Sequence, residues 1–303
     1  MKDILKQGLG ESSSFASFHP AVNFIYFALV IGITMFSMDP VFLAATLAAG
    51  WFWSLVLSGK KALKFNLLLT LPIVIVMAVV NTLFTHNGAT VLFYLNGGRI
   101  TLEAFLYGLA AAAMISAVIL WFSCFNVVMT SDKFIYLFGK AAPVLGLTLS
   151  MVFRFLPLLK TRYQEIFMGQ KCMGRHGQKG LLARARQTVK EVSILISWSL
   201  EASIETSDSM EARGYGLPGR TSFHLFRFTH RDRNLLLALL AAGLPAAAGC
   251  MAGLTSIYYY PKISLSWGPL KFTVLASYII LLLLPAVIDL SGEKKWQAYK
   301  SEI

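Results

Sequence analysis

Apolar runs separated by short polar joints dominate the outer thirds of the chain. Residues 21–38 carry no charge. Asp39-Pro40 interrupts, and residues 41–57 resume the run. Residues 65–84, with Pro72 near their start, form a third run, residues 104–125 a fourth, residues 235–254 a fifth and residues 272–288 a sixth. A hydrocarbon layer of roughly 30 Å needs about 20 apolar residues in helical form. The pattern therefore predicts an all-α, polytopic integral membrane protein with about six transmembrane helices.

The middle of the chain has a different period. Leu147, Met151, Phe155, Leu158, Leu159, Ile166 and Phe167 recur at helical spacing, and so do Val189, Val192, Ile196, Leu200 and Ile204. Both sets predict long amphipathic helices, and residues 145–159 are apolar enough for a tilted or partly buried one. Glycines 169, 174, 177 and 180, with His176, break the chain between them. Residues 214–219, which include Pro218, break it again. The expected organisation is a membrane domain over residues 1–131, a cytoplasmic helical region over 132–234, and a membrane hairpin with a tail over 235–303.

Charge gives the orientation. Of 303 residues, 56% are hydrophobic and only 14% charged, whereas a soluble domain is nearer one quarter charged. With the N-terminus in the cytoplasm, the inside segments hold 24 of the 27 Lys and Arg residues, including Lys60, Lys61 and Lys64 in one short loop; Arg99, Lys262 and Lys271 fall outside. Positive charge retained on the cytoplasmic side predicts a multi-pass protein of the cell membrane with both termini inside. The net charge of +12 is thus assigned to anionic lipid headgroups beside the spans and not to nucleic acid. The first twenty residues are mixed polar, and the run after them is too long for a signal-peptide core, so no cleaved signal peptide is expected. Cys124, Cys172 and Cys250 lack the spacing of a disulfide framework or a zinc site.

Serines 193, 197, 199, 203, 207 and 209 alternate with the apolar face of the second amphipathic helix. Small residues of this kind let a partner helix approach closely. Glu201, Glu205 and Asp208 share another face, which reads as solvated. Arg213 stands at the end of the same helix, where Gly214 should stop it in the left-handed conformation. The helix dipole alone favours a cation there, so position by itself does not give Arg213 a function. Arg175 lies at the other glycine elbow. A guanidinium fork bonds bidentately to carboxylates or to helix C-terminal carbonyls, and two such elbows fit a dimeric partner with two equivalent grooves.

The segment Met210-Glu211-Ala212-Arg213-Gly214-Tyr215-Gly216, with Arg220-Thr221 after it and Phe18-His19-Pro20 before the first span, resembles the transmembrane T component of energy-coupling factor transporters, of the ABC class. In that family two Ala-Arg-Gly-like motifs end long coupling helices and dock into two ATPase subunits. Ala212-Arg213-Gly214 matches the second motif, while Gly174-Arg175-His176 stands in place of the first. The resemblance implies a coupling subunit that passes ATP-driven motion to a separate substrate-binding membrane protein for vitamin or metal-ion uptake. Ser197, Leu200, Ser203 and Ile204 are the expected contacts with that protein.

The residues themselves agree in part. No Gly-x-x-x-x-Gly-Lys-Ser/Thr loop occurs, so nucleotide is expected on partner subunits, with no cofactor on this chain and no enzymatic role. Metalloprotease motifs are absent. Acidic residues lie only at the edges of the spans, at Glu103 and Asp289, against a proton-coupled carrier. His19, His86, His176, His224 and His230 are scattered. The competing class is a membrane enzyme acting on a phospholipid or prenyl phosphate through the cytoplasmic arginines, although no Asp-rich cluster stands beside them.

Overall fold

Two Xaa-Pro steps start the first two helices. In the computed structural model, which describes residues 13–85, 87–95, 98–141, 143–174, 180–218, 226–260 and 268–301, helix α1 runs over Pro20–Phe36 and α2 over Pro40–Ser58. Proline at the first helical position gives up an amide that has no intrahelical partner. The residue before it supplies the cap: His19 Nδ1 accepts from Ala21 N at 3.2 Å, and Asp39 Oδ1 accepts from Val41 N at 2.9 Å. Gly59, at φ 60°, ends α2 and opens α3 (Lys60–Phe84).

A hairpin of β1 (Val91–Leu95) and β2 (Gly98–Thr101) follows, antiparallel and bulged between Val91 and Phe93. It is the one departure from all-helical structure among the described residues, and the apolar pattern did not announce it. Next come α4 (Leu102–Val128), α5 (Ser131–Ala141), α6 (Pro143–Cys172), α7 (Leu181–Ala212), α8 (His230–Met251) and α9 (Pro269–Ser301). Among the described residues, five helical stretches are long and apolar enough to cross a membrane: Pro40–Ser58, Ala62–Phe84, Leu102–Val128, His230–Met251 and Pro269–Gly292. The first expected span is present as α1, whose 17 residues stand at the short end of the spanning range.

The chain divides into two units, Met1–Phe134 with Phe226–Ile303, and Ile135–Leu225. In the first, the N-terminal and C-terminal helices share one core. Tyr26 and Phe27 of α1, Trp53 of α2 and Trp121 of α4 are buried, their rings meeting mostly edge-to-face, with Tyr26–Phe27 centroids 5.3 Å apart and Tyr26–Trp121 centroids 6.0 Å apart, as ring quadrupoles prefer. Tyr278 of α9 reaches between α1 and α2, its hydroxyl 3.0 Å from Thr34 Oγ1 and 2.9 Å from Thr46 Oγ1. Leu68, Leu71, Ile75 and Val79 of α3 point outward, a surface suited to lipid.

A polar clasp closes one end of this unit. The amides of Met38 and Asp39 both donate to Thr255 O at 3.0 Å, Tyr259 Oη donates to Met38 O at 2.7 Å, and Lys271 pairs with Asp39. Both charges are buried. Removing one partner of a buried pair strands the other in a medium that cannot solvate it. Asp39→Ala is therefore expected to cost about 3 kcal/mol, read as a fall in the thermal unfolding midpoint in detergent, and an unchanged midpoint would contradict the clasp. Burial, and then the Asp39 carboxylate, push the Tyr259 phenol up to about 12. A raised phenol stabilises the fold fully below its ordinary value near 10 and loses that contribution as pH rises through the folded value. Alkaline unfolding should begin above about pH 10 and should shift in Tyr259→Phe.

Candidate functional site

The second unit is built on α6 and α7. Their facing sides meet through a small polar cluster. Glu191, the one buried residue of α7, accepts from Gln187 Nε2 at 3.1 Å and from Tyr163 Oη at 3.4 Å, while Gln187 Nε2 also lies 3.4 Å from Gln170 Oε1. Burial, and then the Glu191 charge, raise the Tyr163 phenol above its ordinary value. Further along, the Arg162 guanidinium lies 5.0 Å from the centroid of the Trp198 ring and pairs with Glu165 at 2.7 Å. The two helices are thus fastened by hydrogen bonds and a cation–π contact.

Beyond Trp198 a groove of about 890 Å³ opens between the helices, lined in part by Met151, Arg154, Phe155, Trp198, Glu205 and Arg213. A second recess of about 470 Å³ is lined in part by Met151, Phe155, Ser203, Met210 and Tyr215. Two guanidinium groups therefore border the groove, with one carboxylate among them.

Arg213 sits one residue past the last helical residue, at φ −85° and ψ 7°. Gly214 follows at φ 78°. Gly214 N donates to Glu211 O at 2.9 Å and Tyr215 N to Met210 O at 3.0 Å. This pair of bonds is the Schellman closure, which satisfies the orphan carbonyls and turns the chain sharply away. The guanidinium thus starts from a fixed backbone. α6 ends on a left-handed glycine too: Gly174 has φ 73° and its amide donates to Lys171 O at 3.0 Å. Aligned on the left-handed glycine, Met173 occupies the position of Arg213, and Arg175 follows the glycine in sequence. Arg175 itself lies outside the described residues, as do His176, Gly177 and the Arg220-Thr221 pair.

The side of α7 turned away from α6 is apolar and open. Val189 is 68% exposed, Ile196 54%, Leu200 62% and Ile204 65%. Exposure on this scale, at four- and seven-residue spacing, is a continuous stripe in search of a cover. Ser197 and Ser203 are exposed as well, each hydroxyl bonded back to the carbonyl four residues earlier, at 3.1 and 2.6 Å, which leaves the surface smooth. Ser203 also borders the recess with Met151 and Phe155; Leu200 and Ile204 continue the stripe. Glu201, Glu205 and Asp208 are exposed between the two faces. Among the described residues no three His, Cys, Asp or Glu side chains converge as metal ligands would.

A family model described as cobalt transport protein, CbiQ, matches residues 11–225. Relatives include the energy-coupling factor transporter transmembrane protein EcfT of Streptococcus thermophilus, 32% identical over 36% of this chain and 42% of its own length. The protein of the same name from Exiguobacterium sibiricum is 33% identical over 33% of this chain and 39% of its own length. That from Streptococcus equi is 26% identical over 63% of this chain and 73% of its own. The chain therefore spans about two fifths of the length of the first two relatives.

The left-handed cap behind Arg213 can be tested directly. A Cβ on residue 214 would meet Leu217 Cδ1 at 3.1 Å, and a positive φ is itself unfavourable for an L-residue by about 1 kcal/mol. Gly214→Ala should fray the end of α7, with amide exchange at Arg213 and Tyr215 faster by roughly fivefold. Unchanged exchange would mean that the cap does not hold the arginine in place.

Proposed function

The chain belongs to the CbiQ/EcfT family, the transmembrane components of energy-coupling factor transporters, and from that premise we propose that it couples two ABC-type ATPase subunits to a separate substrate-binding membrane protein. It acts in the cell membrane with both termini cytoplasmic. The family is a transporter component and not an enzyme; ATP is bound and split by the partners. The cargo is a micronutrient, a vitamin or a metal ion, selected by the substrate-binding protein.

One observation carries this reading: Arg213 is presented on a Schellman-closed helix end, beside an open groove, in a chain that has no phosphate-binding loop of its own. A cation carried on a fixed backbone at the tip of a 32-residue helix suits a lever pressed from outside. When an ATPase pair closes, force on Ala212, Arg213 and Gly214 travels along α7, and the fastening at Glu191 and Trp198 passes it to α6. Gly174 and Arg175 make the second docking point. The exposed stripe at Leu200 and Ile204, edged by Ser197 and Ser203, is the surface that meets the substrate-binding protein, where its apolar side chains are withdrawn from water.

Arg213→Glu replaces the anchoring charge by one of opposite sign. Loss of an interface arginine of this kind is worth at least about 2 kcal/mol, roughly thirtyfold in affinity. The ATPase pair should no longer co-purify in detergent, while the chain still accumulates in membranes; retained co-purification would remove Arg213 as the anchor. Leu200→Glu, on a surface where substitutions cost the fold within about 0.5 kcal/mol, should leave the ATPases bound and release the substrate-binding protein. Retention of all subunits in that variant would move the contact elsewhere.

A further inference from the structure

The helical insert leaves the membrane bundle after α4 and returns to it at α8. Both roots lie in the first unit, and one short segment touches both of them. Residues 13–19 precede α1 and form no helix, and hydrogen bonds tie them to three helices.

At the departure root, Lys133 is buried. Its Nζ donates to Ala16 O at 2.6 Å and to Val128 O at 2.8 Å. Val128 is the last residue of α4, so one ammonium group joins an orphan carbonyl at that helix end to the N-terminal segment. Desolvation lowers the pKa of Lys133 from the ordinary lysine value. At the return root, Asp232 in the first turn of α8 accepts from His19 N at 2.9 Å through Oδ1. Its Oδ2 accepts from Thr229 N at 2.8 Å and Thr229 Oγ1 at 2.6 Å. Arg231 lies 4.8 Å from the centroid of the Phe18 ring, and Phe228 meets the His19 ring edge-on at 5.3 Å.

The middle of the segment is fixed to the bundle. Phe15 N donates to Asp289 Oδ1 of α9 at 2.7 Å, and Ser13 Oγ donates to the same carboxylate at 2.8 Å. Trp53 Nε1 donates to Oδ2 at 3.1 Å. The Phe15 ring is fully buried, edge-on to Tyr26 at 5.2 Å and to Trp53 at 5.6 Å.

We propose that residues 13–19 form a collar that fixes both roots of the coupling insert to the membrane bundle, with Lys133, Asp232 and Asp289 as its positioning residues. The proposal rests on the coupling reading above. Motion that enters an insert through its tips is useful only if the roots do not yield. Loose roots would let the insert swing while the bundle stayed still. The collar ties each root by a charge-assisted hydrogen bond, the strong class, to a strap whose centre is plugged into the aromatic core.

The test uses the full chain co-purified with whatever ATPase and membrane subunits it retains. Cys124, Cys172 and Cys250 are replaced by alanine, and nitroxide labels are placed at Glu201→Cys on the solvated face of the insert and Leu71→Cys on the bundle. Lys133→Met keeps the aliphatic stem and removes the ammonium; Asp232→Asn keeps the shape and removes the charge. Each is expected to widen the label-to-label distance distribution at least twofold and to blunt its shift on adding ATP and vanadate, with ATP hydrolysis within twofold of the unsubstituted complex. Lys133→Arg should restore the width. A width and a shift unchanged in both variants would overturn the collar. Should the variants fail to accumulate, the unsubstituted chain decides: the amides of Phe15 and His19 must exchange slowly, with and without nucleotide, and rapid exchange at both would overturn it. If no ATP-hydrolysing subunit co-purifies even with the unsubstituted chain, the coupling reading falls, while the widths and exchange rates still judge the collar.

Discussion

Hydrocarbon offers no hydrogen-bond partners, and that single constraint shapes the first unit. A backbone in lipid must satisfy itself, which only helices and closed barrels do; the long apolar runs of this chain therefore become helices. The same constraint makes each polar group placed among those helices a fastener. The Tyr278 hydroxyl, held between Thr34 and Thr46, joins α9 to α1 and α2. The Asp289 carboxylate joins α9 to α2 and to the segment before α1. Asp39 and Lys271 join the start of α2 to the start of α9. Apolar packing against lipid tails distinguishes poorly between one helix arrangement and another. These few polar contacts give the unit its register.

The second unit is built on two amphipathic helices, and its unusual property is incompleteness. An amphipathic helix in a soluble domain buries its apolar face. Helix α7 buries Glu191 and leaves Val189, Ile196, Leu200 and Ile204 open. The polar side is used to grip α6, and the apolar side is held free. Such an inversion is unfavourable for an isolated chain, since it leaves a continuous apolar stripe in contact with solvent.

Much of this was legible in the residue pattern, because the signals are local. Apolar runs fix helices by length, Xaa-Pro steps fix their starts at His19 and Asp39, and Gly214 fixes the end of α7 through its tolerance of positive φ. The two amphipathic helices also stand where the periodicity put them. Other features were not legible, for equally physical reasons. Asp289 looks like an ordinary charge at a membrane edge; its partners Ser13, Phe15 and Trp53 lie more than 230 positions away in sequence. Glu191 sits on a helix rich in charges, and only the packing of α6 shows it to be buried. The hairpin at Val91–Leu95 and Gly98–Thr101 carries no apolar/polar alternation, so its one local signal is the Asn96-Gly97 step between the strands. Ser203 stands next to Ile204 in sequence, and a one-residue step of about 100° around the helix takes it off the stripe to the recess beside Phe155.

The two elbows show how far a motif and a geometry can differ. Read as strings, Ala212-Arg213-Gly214 and Gly174-Arg175-His176 share a central arginine. Read as helix ends, they share a left-handed glycine, with Gly174 and Gly214 closing α6 and α7 by the same bond to the carbonyl three residues back. The second correspondence is the physical one, since a backbone conformation that L-residues resist must be met by glycine. Its consequence is that the cation precedes the turn at one elbow and follows it at the other. An arginine directly before the glycine has its backbone set by the closure of the helix end. Arg213 is therefore the elbow arginine whose backbone is set by the closure that ends α7.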